Sequence, residues 1–140
     1  MKKVLIMLCI LLFSVILTAS CSEEAKKDDI DVNLSGLSQT IIQAELQKLY
    51  SNSPDYLGKT IKASGTYLTL YYEKTDSHRH YIIVVPGDAC CQLGFEFKLK
   101  GDNDYPADNT AIEVTGILEK ATDIGGAYLY LAVDDIVLSE

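Results

Sequence analysis

The stretch KTIKASGTYLTLYY, Lys59–Tyr72, decides the fold class. It is long and rich in β-branched and aromatic residues, the composition that suits a pleated, half-buried surface. Gly65 lies inside it, and a glycine within a strand marks a bulge or a sharp bend. Four segments downstream share this character. HYIIVVP, His80–Pro86, is short and almost wholly apolar, as expected of a strand buried on both faces. FEFKLK, Phe95–Lys100, alternates, with Phe95, Phe97 and Leu99 on one side and Glu96, Lys98 and Lys100 on the other. AIEVTGILEKA, Ala111–Ala121, alternates around Gly116, and AYLYLAVDDIVLSE, Ala127–Glu140, follows as a fifth strand. The polar runs EKTDSHR, GDNDYPADN and TDIGG separate these segments as turns.

Upstream, SQTIIQAELQKLYSNSPDYLGK spaces Ile41, Ile42, Ala44, Leu46, Leu49 and Tyr50 for a helix, with Ser38 as N-cap and Asn52-Ser53-Pro54 as its stop. Its apolar face is expected to cover the sheet. One helix followed by five strands within about 80 residues, the longer strands bent at glycines, predicts a mostly β chain: a small five-stranded OB-like barrel preceded by one α-helix. The alternative is a flatter α+β sheet with the helix on one face. A hydrophobic content of 48% fills one such core and leaves no room for a second domain over 37–140.

The first residues, MKKVLIMLCILLFSVILTASCSEEAKKDD, speak of address. Lys2 and Lys3 precede an apolar run from Val4 to Ile16, too short to span a bilayer comfortably and suited to a secretory signal. Thr18-Ala19-Ser20-Cys21 resembles the lipobox of bacterial lipoproteins, where cleavage precedes a cysteine that carries a diacylglycerol thioether. Residues 1–20 therefore read as a lipoprotein signal peptide, Cys21 as the lipidation site, and 21–36 as lipid anchor and flexible tether. The expected location is the extracytoplasmic face of the cell membrane. Several acyl chains on one terminus anchor stably where a single chain does not. Without Lys2 and Lys3 the formal charge deepens from −8 to −10. Such a surface repels nucleic acid, whose binding needs phosphates neutralised by Lys and Arg.

Once Cys9 leaves with the signal and Cys21 is acylated, the domain keeps only Cys90 and Cys91. Neighbouring Cα atoms are about 3.8 Å apart, and ordinary disulfides want more, so a bridge between them is strained. On a regular strand the two side chains face opposite ways, but the flanking GDA and QLG point to a turn or bulge. Asp88, Cys90, Cys91 and Glu96 form the candidate metal set, for a transition metal such as zinc. His78 and His80 stand at the far end of Tyr81–Pro86, roughly 20 Å away along an extended chain, and do not share that site. They read instead as a solvated hairpin tip. Packing as small apolar groups is the plainer reading of the cysteines. Asp102, Asp104, Asp108 and Glu113 are spaced faintly like a calcium loop, yet the turn glycine is missing and no helix flanks them.

Nine tyrosines and no tryptophan give the strands their aromatic faces. Tyr67, Tyr71, Tyr128 and Tyr130 are the candidate ligand-binding surface, set against the simpler reading that tyrosine is a good strand residue with a wet hydroxyl. No nucleophile elbow, phosphate loop or metalloprotease helix occurs. YLGKTIKASGTY, GDACCQLGFEFKL, IEVTGILE and YLYLAVDDI together resemble a family of exported Firmicutes proteins. More loosely, they are similar to the extracytoplasmic domain of a bacterial permease-subunit family. The resemblance runs from about Leu34 to Leu138, is most distinctive at the Cys-Cys segment, and implies an OB-like fold in the cell envelope. It implies no activity. The sequence thus predicts a non-catalytic binding module for an envelope protein or a small ligand, held to the membrane by lipid and without a cofactor. A metal-handling accessory protein using Cys90 and Cys91 is the alternative.

Overall fold

The computed structural model describes residues 29–87, 92–101 and 104–139. It is mostly β: a six-stranded sheet with one α-helix. The elements are β1 (Val32–Asn33), α1 (Gln39–Ser51), a 3-10 turn (Ser53–Asp55), β2 (Thr60–Tyr72), β3 (Ser77–Val85), β4 (Leu93–Leu99), β5 (Ala111–Asp123) and β6 (Gly126–Leu138). All five expected strands form. The sixth, β1, was not foreseen.

The count of five fails because the supposed tether ends early. Asp31 N–H bonds to the Thr60 carbonyl, Leu34 N–H bonds to the Lys62 carbonyl, and β1 runs parallel to β2. Leu34 is buried at the core. A window dominated by Glu, Lys and Asp hides the short alternation of Val32 and Leu34 with Asp31 and Asn33, and burial of Leu34 offsets the cost of ordering it.

Helix α1 begins after Ser38, whose carbonyl takes the N–H of Ile42 and whose side chain makes no cap bond. Ile42, Leu46 and Leu49 form its buried stripe, at i, i+4 and i+7. Ile41 and Tyr50, on the flanks of that stripe, remain half exposed.

The sheet order is β1-β2-β3-β4-β6-β5, and β5 also pairs with β2. The pairings of β2, β3, β4, β6 and β5 therefore return to their starting strand. Strand β2 makes this possible by serving two neighbours: Thr60–Thr66 pair with β5, and Thr66–Tyr72 pair with β3. The change of partner falls beside Gly65. A Cβ there would stand 2.2 Å from the Ile83 carbonyl oxygen, so only glycine lets the two backbones approach this closely. Every pairing in the ring is antiparallel except β4 with β6.

Two expectations about single strands need correction. β3 starts at Ser77, so His78 and His80 lie within the strand, opposite Tyr71 and Thr69, rather than in a solvated tip. Its apolar run is not buried throughout, since Ile83 is only half-buried between Ile82 and Val84. In β4, Phe95 and Phe97 enter the core as expected, but Glu96 is buried too.

Candidate functional site

Strand periodicity builds the site from residues far apart in sequence. Tyr81 on β3 lies opposite Glu96 on β4, Glu96 opposite Tyr130 on β6, and Tyr130 opposite Glu119 on β5. These four share the face of the sheet turned away from Phe95 and Phe97. Arg79 and Lys98 lie two residues along from Tyr81 and Glu96, so they share that face, as does Tyr128.

Arg79 is the centre. Its guanidinium bonds to Glu96 at 3.2 Å and to Asp123, the last residue of β5. The ring centroids of Tyr72 and Tyr128 lie 4.3 and 4.6 Å from its central carbon, which clamps the planar cation between two aromatic faces. Tyr81 donates its hydroxyl to that of Tyr72 at 3.1 Å. Lys98 donates to the Tyr128 hydroxyl at 2.7 Å and lies over the rings of Tyr128 and Tyr130, while Tyr130 donates to Glu119. Among the described residues no buried side-chain polar atom lacks a hydrogen-bond partner.

The charges respond to this enclosure. Burial raises the Glu96 carboxyl above its ordinary value, and the nearby Arg79 and Lys98 only partly reverse the shift. Burial acts to lower the Arg79 value, but the carboxylates of Glu96 and Asp123 outweigh it and hold the guanidinium charged. The Tyr130 hydroxyl is pushed up to about 12, chiefly by its bond to Glu119.

Two turns rise beside Arg79. The β2–β3 turn spans 73–76, where Asp76 takes a positive φ of 47° and accepts the Tyr71 hydroxyl at 2.8 Å. At the β5–β6 turn Asp123 accepts the N–H of Gly125. Between them lies a cleft of about 430 Å³ lined by Tyr71, Tyr72, Lys74, Arg79, Asp123 and Tyr128 among others. A smaller hollow of about 210 Å³ continues past Arg79 toward His78, Glu96 and Lys98. Another hollow, of about 300 Å³, gathers Asp29, Asp31 and Asp134 with no aromatic face. Asp31 there accepts the Thr60 N–H and Asp134 is bonded to Lys100, so those carboxylates serve the fold.

No match was found in comparisons with protein-family models, with curated proteins or with solved structures. Any reading of the site therefore rests on its geometry.

Of the four candidate tyrosines, Tyr71 and Tyr128 line the cleft, and Tyr130 stands beside Lys98 on the same face. Tyr67 does not belong with them. It is a core residue, 2% exposed, with its hydroxyl 2.6 Å from both Thr69 Oγ1 and His80 Nδ1. Gly65 shifts nothing in the parity of β2; Tyr67 faces inward and Tyr72 outward because they are an odd number of residues apart. His80 stacks on Tyr105 with ring centroids 3.5 Å apart, and burial lowers its pKa.

The candidate metal set divides. Asp88, Cys90 and Cys91 lie outside the described residues, as does Cys21. Glu96 is committed to Arg79. Among the described residues no group of three His, Cys, Asp or Glu side chains is arranged to hold a metal. In the calcium-like stretch, Asp108 accepts the Thr69 N–H, whereas Glu113 bonds to Lys62, Ser64 and Ser35.

Sequence reasoning missed Arg79, Tyr72 and Asp123. Arg79 was masked by its histidine neighbours, although its parity with Tyr81 places both on one face. Asp123 could be found only by pairing β5 with β6.

Proposed function

We propose that this chain is a membrane-anchored extracytoplasmic lipoprotein, and that its strands form a small OB-like barrel acting as a non-catalytic binding module for a protein partner or small ligand. The anchor reading is supported by Lys2, Lys3, the apolar run Val4–Ile16 and the small residues before Cys21. The barrel reading is supported by the ring of pairings from β2 through β3, β4, β6 and β5 back to β2. OB-folds bind ligands on the face of their second and third strands, between the loops after the first and fourth. On that reading the corresponding elements are β3, β4 and the turns at 73–76 and 124–125; in support, the cleft is lined from both turns and by Arg79 of β3, and its smaller extension by Glu96 and Lys98 of β4.

One observation carries the binding reading: the Arg79 guanidinium held between Tyr72 and Tyr128 and paired with Glu96 and Asp123, at the wall of an open cleft. Its polar groups are fixed before any ligand arrives, which lowers the ordering cost of binding. The reading is tested by screening small polar aromatic and polyol fragments against the full chain by amide-resolved NMR, alongside capture of partners from envelope extracts. Shifts clustered at Tyr71, Tyr72, Arg79 and Tyr128 are the expected result. A screen in which no compound moves those amides, with no partner retained, would remove the cleft from consideration.

A further inference from the structure

A ring of strands buries its apolar side chains only where something closes its ends. At the start of β4 that is α1, where Tyr50 donates its hydroxyl to the Gly94 carbonyl at 2.6 Å and stacks on Phe95. Leu99 ends β4. It stands roughly 16 Å further along the strand, and the cover there is thin. Leu138 shows this. It pairs with the fully buried Ile112 and lies on the same side of β6 as Ile136, the side turned to the core, yet it is 64% exposed. The strand end is not frayed, because the ladder runs on to Ser139, whose N–H bonds to the Ala111 carbonyl.

Above this end of the core lies a hollow of about 350 Å³, between β6 and the β4–β5 connection. Leu99, Tyr105, Pro106, Ile136 and Leu138 form its apolar lining, and Leu99, Tyr105 and Ile136 rest on the core. Its wall is set in advance. Tyr105 stacks on His80 with ring centroids 3.5 Å apart, and its hydroxyl accepts the Leu99 N–H at 3.1 Å. The volume lies at the small end of ligand sites, so the occupant is a small molecule.

The rim decides the sign of its charge. The charged residues of the lining are Asp104 and Asp135, and neither is ion-paired among the described residues. Asp135 accepts the N–H of its neighbour Ile136, and Lys100, just after β4, is paired with Asp134. An anion entering the hollow meets two carboxylates on a chain of net charge −8, and a cation is drawn by both. A wholly apolar molecule fills the hollow and leaves the rim unused.

We propose that this hollow is a second binding site, separate from the Arg79 cleft, for a small apolar cation: an ammonium group held at Asp104 and Asp135 on a stem or ring resting against Leu99, Tyr105, Ile136 and Leu138.

The test is amide NMR on the full chain in nanodiscs of zwitterionic lipid, with empty nanodiscs measuring the probe lost to the bilayer. Four probes are titrated separately: 4-phenylbutylamine, 4-phenylbutanol, 4-phenylbutyrate and ethylamine. Saturable shifts at Leu99, Tyr105, Ile136 and Leu138 are expected with 4-phenylbutylamine. The alcohol should bind there about two- to tenfold more weakly, the worth of two exposed carboxylates, and the other two probes more weakly still. Raised salt should narrow the gap between amine and alcohol. Asp104→Asn with Asp135→Asn should close it, whereas Glu45→Gln with Asp55→Asn, the same loss of charge on α1 and the 3-10 turn, should not. Leu138→Ala should weaken amine and alcohol alike, about two- to fivefold, and at 64% exposure its replacement leaves the core intact. Amine and alcohol binding equally, or 4-phenylbutyrate binding as tightly as the amine, would overturn the cation. Ethylamine binding as tightly as 4-phenylbutylamine would overturn the apolar seat, and an equal effect of the two double variants would overturn the role of the rim. No saturable shift at these four amides with any probe would overturn the site. The amides of Tyr72, Arg79 and Tyr128 report on the cleft in the same spectra, so the two sites are scored separately.

Discussion

Arg79 carries its charge in a place that burial makes less favourable, and Glu96 and Asp123 more than offset that penalty. The dependence runs both ways. Glu96 is the buried charged residue of the described core, and Arg79 is its main compensation. Replacing Arg79 with Met leaves a carboxylate buried without its partner, which costs about 3–5 kcal/mol. The pH dependence of that loss follows from its cause. Glu96 already has a folded-state pKa above its ordinary 4.5, and removing the cation raises it further. Stability tied to a raised carboxyl is present below the unfolded value and is lost as pH rises through the folded one. Urea unfolding should therefore show Arg79→Met at its worst near pH 8 and recovering relative to the parent toward pH 5. An equal loss at both values would mean that the damage is to packing, not charge. Adding Glu96→Leu to the variant should restore most of the stability at pH 8, because the uncompensated charge is then gone.

At the level of elements, β3 is squeezed between two glycine approaches. Gly65 on β2 meets the Ile83 carbonyl, and Gly94 on β4 meets the Ile82 carbonyl, where an added Cβ would stand 2.0 Å away. Either strand must move to admit a methyl group, so Gly65→Ala and Gly94→Ala should each cost about 1–3 kcal/mol. Gly101, with open space at its Cβ position, is the control, and its alanine variant should be close to neutral in the same thermal or urea melt. Comparable stability across all three would show that β3 yields to its neighbours. These glycines also mark how much of the fold was legible. Alternation and β-branched content located five strands and the helix, because each is a local signal within one segment. Gly65 announced a special position but not its nature, since what it meets is a backbone eighteen residues downstream. The site was harder to read for the same reason. Tyr71 and Tyr128 were found as tyrosines on strands, while Tyr67 was misplaced although it shares the parity of Tyr71, because it lies in the middle of β2 over the core and Tyr71 near its exposed end. The Arg79–Glu96–Asp123 contacts span β3, β4 and β5, and no local pattern reports them.

For the whole molecule, ring closure gives each of the other five strands two neighbours within the ring and leaves short β1 as a third neighbour of β2. Long unpaired edges invite association between chains, and this arrangement withholds them. The proposed anchor makes its own prediction. Protein extracted from bacterial membranes should have the intact mass of Cys21–Glu140 plus its lipid. Cys21→Ser should lose that increment and retain residues 1–20. An unmodified mass for the parent, cleaved or whole, would refute lipidation at Cys21. The parallel pairing of β1 bears on what such an anchored molecule can reach. By fastening Asp31, Val32 and Asn33 to β2, the fold takes up chain that would otherwise hang free. About ten residues then join Cys21 to the first fixed strand, a leash of about 35 Å at full stretch. That is about the width of a domain of this size. On the proposed anchor and binding site, the cleft would patrol a thin shell against the bilayer, and whatever it captured would have to come to the membrane surface to be caught.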